Sequence, residues 1–88
     1  MADLKRGMLV RSKAGHDKNE LFVIIEVVNE YVYLVNGKQK TLSKPKKKKV
    51  QHIQITNYVD ENINGKQNEE LNDSYVRKLI KKFDAGCE

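Results

Sequence analysis

The chain has 88 residues and carries seventeen Lys and Arg against twelve Asp and Glu, a formal net charge of +5. A folded chain this short buries only roughly 60% of the surface its unfolded form exposes, so the core is thin and a deep catalytic cleft is excluded as an expectation. The positive balance favours polyanionic partners.

In chain order, Met8-Leu9-Val10-Arg11-Ser12 reads as a short strand, followed by Ala14-Gly15-His16-Asp17, a turn by composition. Leu21 to Val28 is dense in β-branched residues, as in a strand covered on both faces. Asn29-Glu30 is a tight connection to a second β-rich run, Tyr31-Val32-Tyr33-Leu34-Val35. Asn36-Gly37 follows; because both central residues of a type I′ turn need positive φ, it predicts a hairpin tip with Lys38 to Leu42 pairing back as a fourth strand. Val50-Gln51-His52-Ile53-Gln54-Ile55 alternates apolar and polar, which predicts a fifth strand with one buried face. Five short strands separated by turns suit a small, strongly bent barrel.

The composition changes after Thr56. Residues 57–71 are polar and are expected to be a mobile linker. Asn72 or Asp73 then caps a predicted short helix over 72–84. Its apolar members, Tyr75, Val76, Leu79, Ile80 and Phe83, recur at helical spacing and leave Arg77, Lys78, Lys81 and Lys82 on the other side. Such a stripe docks on the barrel or on a partner.

The charge is uneven. Residues 1–56 hold twelve basic and five acidic side chains, and residues 57–88 hold five basic and seven acidic, so the barrel is expected to carry the anion-binding character. Between Lys38 and Lys49 stand seven lysines and no acidic residue: Lys38, Lys40, Lys44, Lys46, Lys47, Lys48 and Lys49. Like charges on one loop repel unless a polyanion neutralises them, and each lysine placed on a phosphate releases a condensed counterion. A solvated face is the plainer alternative. Pro45 fixes its own φ and keeps Lys44 extended.

Gly7-Met8-Leu9-Val10-Arg11-Ser12-Lys13-Ala14-Gly15-His16-Asp17-Lys18 resembles a KOW motif, in which a strand, a loop with glycine and basic residues, and the start of a second strand follow one another. Phe22 to Val27 and Tyr33 to Gly37 continue it. Residues 6–56 together resemble the SH3-like-barrel large-subunit ribosomal proteins of archaea and eukaryotes, and the small KOW-domain RNA-binding proteins of bacteria. Many KOW segments carry glycines where this chain has Asn19, Glu20 and Leu21; Asn tolerates positive φ, so Asn19 can replace one of them. The fold class implied is mostly β, a five-stranded SH3-like barrel of KOW type over 1–56, with the polar linker and the C-terminal helix behind it.

The candidate RNA-binding residues are Arg11, Lys13, Gly15, His16, Lys18, Lys38, Lys40, Lys44, Lys46, Lys47, Lys48 and Lys49. Gly15 lets backbone approach a phosphate and Lys13 and Lys18 flank it; His16 is either a donor to a 2′-OH or a base-stacking ring, or else simply an exposed turn residue. Asp17 is expected to close the turn through an Asx-type hydrogen bond. Four Tyr, two Phe and no Trp argue against an extensive stacking platform.

Enzymatic chemistry is not expected. His16, His52 and Cys87 lack metal-ligand spacing, no Gly-rich nucleotide loop is present, and no cofactor is implied. Cys87, beside the C-terminal residue, suits a reducing compartment and is expected to be inert. No apolar run approaches the ~20 residues of a membrane span, and Met1 to Arg6 lacks the apolar stretch of a signal peptide, so a cytoplasmic protein without a membrane partner is expected. The expected function is binding of ribosomal or other structured RNA in translation, by a protein that is a monomer when free. Ribosomal or transcription proteins are the alternative partners, and the barrel's apolar patch with the helix face around Tyr75, Leu79 and Phe83 would carry them.

Overall fold

The computed structural model describes residues 4–65 and 71–85. Five strands, β1 (Met8–Ser12), β2 (Leu21–Val28), β3 (Tyr31–Val35), β4 (Lys46–Lys49) and β5 (Ile53–Val59), form one antiparallel sheet in the order β4-β3-β2-β1-β5. Two helices follow, α1 (Glu61–Gly65) and α2 (Asp73–Asp84).

The strand order forces the sheet to curl. β4 and β5 lie at opposite edges, yet only a 3-10 turn, Val50–His52, joins them. Flat, five strands at ~4.8 Å spacing hold their edges about 19 Å apart. The four residue steps from Lys49 to Ile53 reach at most ~14 Å even when fully extended. The edges must approach, giving the barrel-like fold expected from the sequence. Irregularities help the bend: register shifts between Ile24 and Glu26 on β2, leaving Ile25 without an opposite number on β3, and again between Met8 and Val10 on β1.

Alternation sorts the apolar residues into two layers. Met8, Val10, Phe22, Ile24, Val32, Leu34 and Ile53 fill the barrel interior. Leu9, Val23, Ile25 and Val35 face outward and are covered by Ile63 of α1 and by Val76 and Leu79 of α2. The first five residues of β2 are therefore buried on both faces, as the apolar run predicts, whereas Glu26 to Val28 are exposed.

Helix α2 forms for legible reasons. The Asn72 side chain accepts from the Tyr75 amide at 2.8 Å, a cap on one of the orphan donors of the first turn. The apolar stripe docks on the outer face of the barrel, where Phe83 packs on Tyr58 with ring centroids 5.7 Å apart. The Tyr75 hydroxyl donates to Asp60 Oδ2 at 2.7 Å, tying α2 to the end of β5. Burial pushes that hydroxyl's pKa up, and the Asp60 charge adds to the effect.

Three expectations are overturned. Lys38 to Leu42 is not a strand, and Asn36-Gly37 is not a hairpin tip. The buried Asn36 side chain accepts from the Lys38 and Lys40 amides at 2.9 and 3.1 Å, a local alternative to ladder bonds. Asp73 of α2 takes the Leu42 amide at 2.9 Å, and Arg77 donates to the Gly37 carbonyl at 2.7 Å. The fourth strand is instead built from the lysine run, which is no loop: Lys46 to Lys49 pair with Leu34 to Tyr31. The predicted fifth strand begins as the 3-10 turn and runs on to Val59, so residues 57–59 are strand and 61–65 helix rather than linker, with Ile63 wholly buried. The rest of the predicted linker over 66–70, and Cys87, lie outside the described residues. Among the described residues no helix is long and apolar enough to cross a membrane.

Candidate nucleic-acid interface

Strand alternation divides the lysine run into two unlike pairs. Lys46 and Lys48 stand opposite Leu34 and Val32, residues of the interior, and so point to the inner side of the barrel; Lys47 and Lys49 stand opposite Tyr33 and Tyr31 and point outward. The inward pair shares one counterion, Asp17, on the loop between β1 and β2, so the cluster keeps a net charge of one. Lys48 Nζ lies 2.9 Å from Asp17 Oδ1 and Lys46 Nζ 2.9 Å from Asp17 Oδ2. Ser12 Oγ donates to Asp17 Oδ1 at 2.7 Å, and Lys48 also donates to the Ala14 carbonyl at 2.9 Å. Burial alone would push the Asp17 carboxyl up, but Lys46, Ser12 and Lys48 outweigh it and hold it well below the ordinary carboxylate range.

Asp17 is thus a buried counterion and not the cap of an Asx turn, since its carboxylate accepts from Ser12 and the two lysines. Lys48 is correspondingly a structural residue, its side chain only 9% exposed. The outward pair is different. Lys47 Nζ sits 4.4 Å from the centroid of the Tyr31 ring, a cation–π contact that already covers that face of the ring. A base would have to displace Lys47 to stack there, so this surface offers charge more readily than stacking.

The β1–β2 loop owes its shape to two left-handed residues. Gly15 has φ +89, and Asn19 has φ +75, the conformation that lets Asn replace a glycine. At Gly15 the requirement is the backbone angle, because an added Cβ would meet Asp17 Oδ1 and Lys48 Nζ only at ordinary contact distances of 3.6 and 3.8 Å. Lys13, His16 and Lys18 are exposed on this loop. The Lys13 amide is fixed to the His52 carbonyl at 2.8 Å.

Around the 36–40 turn the fold brings together predicted residues from separate parts of the chain. One groove is lined by His16 of the loop, Lys40 of the turn and Lys46 of β4, together with Asp17, Glu20 and Gln39. The adjoining groove shares Glu20, Asn36 and Gln39 and is lined by Arg11 of β1 and Lys38 of the turn. Arg11 donates to the Asn19 carbonyl at 2.9 Å and lies 3.8 Å from Asp84, both side chains well exposed. Such a surface pair contributes at most ~1 kcal/mol and leaves the guanidinium able to take an anion. Lys13, Lys18, Lys44, Lys47 and Lys49 are exposed cations that line neither groove.

The helix face around Tyr75, Leu79 and Phe83, assigned to protein docking if the chain were an interaction module, is occupied by the barrel itself. Sequence reasoning missed Arg77, Lys78 and Lys81, which with Lys38 line a third groove beside α2. The helical spacing places them on one basic face, but the net charge of residues 57–88, summed over the segment, argued against giving that face a binding role. Compared with protein-family models and with curated proteins, the chain has no significant match to either.

Proposed function

We propose that the protein binds structured RNA through backbone phosphates, in a translation-related role in the cytoplasm and without catalysis. The observation that carries the reading is the 36–40 turn. The Asn36 side chain ties down two of its amides, and the turn presents Lys38 and Lys40 into two adjoining grooves whose other cations are Arg11 of β1 and Lys46 of β4. Cations from three separate segments on one surface suit a polyanion, whose phosphates recur along its length, better than a single small anion. The KOW resemblance of residues 6–56 favours RNA over DNA and ribosomal RNA among RNAs. Coverage of the Tyr31 ring by Lys47 supports contact with phosphate rather than base, hence weak sequence preference.

The test is RNA affinity measured over a salt series with a mixed-sequence RNA hairpin. Lys38→Ala with Lys40→Ala should weaken binding and reduce the slope of log affinity against log salt by about 1.4–1.8, at ~0.7–0.9 for each phosphate no longer neutralised. Unchanged affinity and slope in that variant would refute the proposal.

A further inference from the structure

The groove between α2 and the 36–38 turn has the most one-sided charge of the three, with Lys38, Arg77, Lys78 and Lys81 against Asp84 alone. The two grooves on the barrel are more balanced, since Asp17, Glu20 and Asp84 lie among their cations. It is continuous with the barrel surface, sharing Asn36, Lys38, Ile80 and Asp84 with the neighbouring groove.

Its walls are held in place. Arg77 donates to the Gly37 carbonyl at 2.7 Å, and Asp73 accepts the Leu42 amide at 2.9 Å. The approach is so close that a Cβ at Gly37, where φ is +78, would fall 2.6 Å from the Asp73 carbonyl oxygen and 2.6 Å from Arg77 Cγ. Arg77 and Lys81 are four residues apart and Lys78 and Lys81 three apart, so the three cations are neighbours on one helical face and repel one another. Lys81 and Lys82, in the last turn, suit the helix dipole without any ligand. Arg77 is held by the Gly37 carbonyl, but Lys78, in the middle of the helix, has neither reason. A polyanion crossing the groove supplies one.

Resting on the RNA-binding reading, we propose that α2 is part of the RNA site: phosphates of the RNA held on the barrel continue into this groove, onto Lys38, Lys78 and Lys81, while Arg77 positions the turn. The C-terminal helix then does two things with its two faces, closing the outer core with one and extending the phosphate track with the other.

The experiment uses the full chain and the same RNA hairpin over a salt series. Lys78→Ala with Lys81→Ala removes two exposed groove cations and leaves the docked face intact, which the melting temperature checks. A charge-matched control, Lys5→Ala with Lys82→Ala, removes two exposed cations that do not line the groove. The groove variant should lose about 1.4–1.8 from the salt slope, with a correspondingly lower affinity, and the control should lose far less. Equal losses in groove variant and control, or no loss in the groove variant, would overturn the inference. If Lys38→Ala with Lys40→Ala lowers the slope while the α2 variant does not, α2 lies outside the site and RNA binding by the barrel stands. If neither variant changes the slope, both readings fall.

Discussion

Asp17→Ala should be among the most damaging single substitutions in this protein, although it lies in a surface loop. It removes the one carboxylate that pairs with both ammonium groups on the inner side of β4. Lys46, with its side chain 31% exposed, can swing out into water, whereas Lys48, at 9%, cannot do so without opening the barrel end. Breaking a buried ion pair from one side costs ~3–5 kcal/mol, because the remaining charge stays desolvated and unpaired. A domain of this size is stable by only ~4–13 kcal/mol, and each kcal/mol moves Tm by about 4–8 °C, so the loss should reach 12 °C or more. Asp17→Leu with Lys48→Met, which replaces the pair by apolar groups, should recover much of it. The pH dependence has a definite sign. The folded pKa of Asp17 is depressed, so its contribution is full above the unfolded value of ~3.9 and is lost as pH falls through the lower folded value. In urea titrations the gap between wild type and Asp17→Ala should be widest near neutral pH and shrink steadily below pH ~4. A variant within ~0.5 kcal/mol of wild type at pH 7, with the gap unchanged at low pH, would refute the reasoning.

Lys47→Ala with Lys49→Ala should lower Tm by only about 2–8 °C, since the Lys47–Tyr31 contact contributes ~0.5–1 kcal/mol. Lys48→Ala should lower Tm clearly more than that pair does, and equal effects would contradict the inward and outward sorting of β4. Gly37→Ala should cost ~2 kcal/mol or more in chemical denaturation, because the left-handed backbone penalty of ~1–2 kcal/mol adds to displacement of α2. Leu79→Ala should destabilise the fold by ~2–5 kcal/mol, read by the same denaturation and by faster amide exchange across β2; a loss under 1 kcal/mol would mean that α2 is not docked on the barrel.

Much of the architecture was legible in the residues themselves. The period-two and β-branched runs determined β1, β2 and β3, because alternation and stiff side chains act over a few residues. The helix, expected over 72–84 and found over 73–84, was likewise a local fact, with its cap narrowed to Asn72 or Asp73, as was the left-handed tolerance of Asn19. The place of β4 was not. A run of four lysines has no apolar alternation to read, and its pairing with β3 depends on Asp17, 29 residues before Lys46, arriving as the shared counterion of the inward pair. The Asn36-Gly37 signal failed for a related reason. Asn36 and Gly37 do have the turn chemistry, but α2, nearly forty residues later in the chain, takes the Gly37 carbonyl and the Leu42 amide that a hairpin would have used elsewhere. The sequence alone determined which residues are cations; only tertiary packing decided which are buried on a carboxylate, which lie on a tyrosine, and which are left to line a groove. Charge is a property of a residue, but its availability depends on what the fold sets within a few ångströms of it.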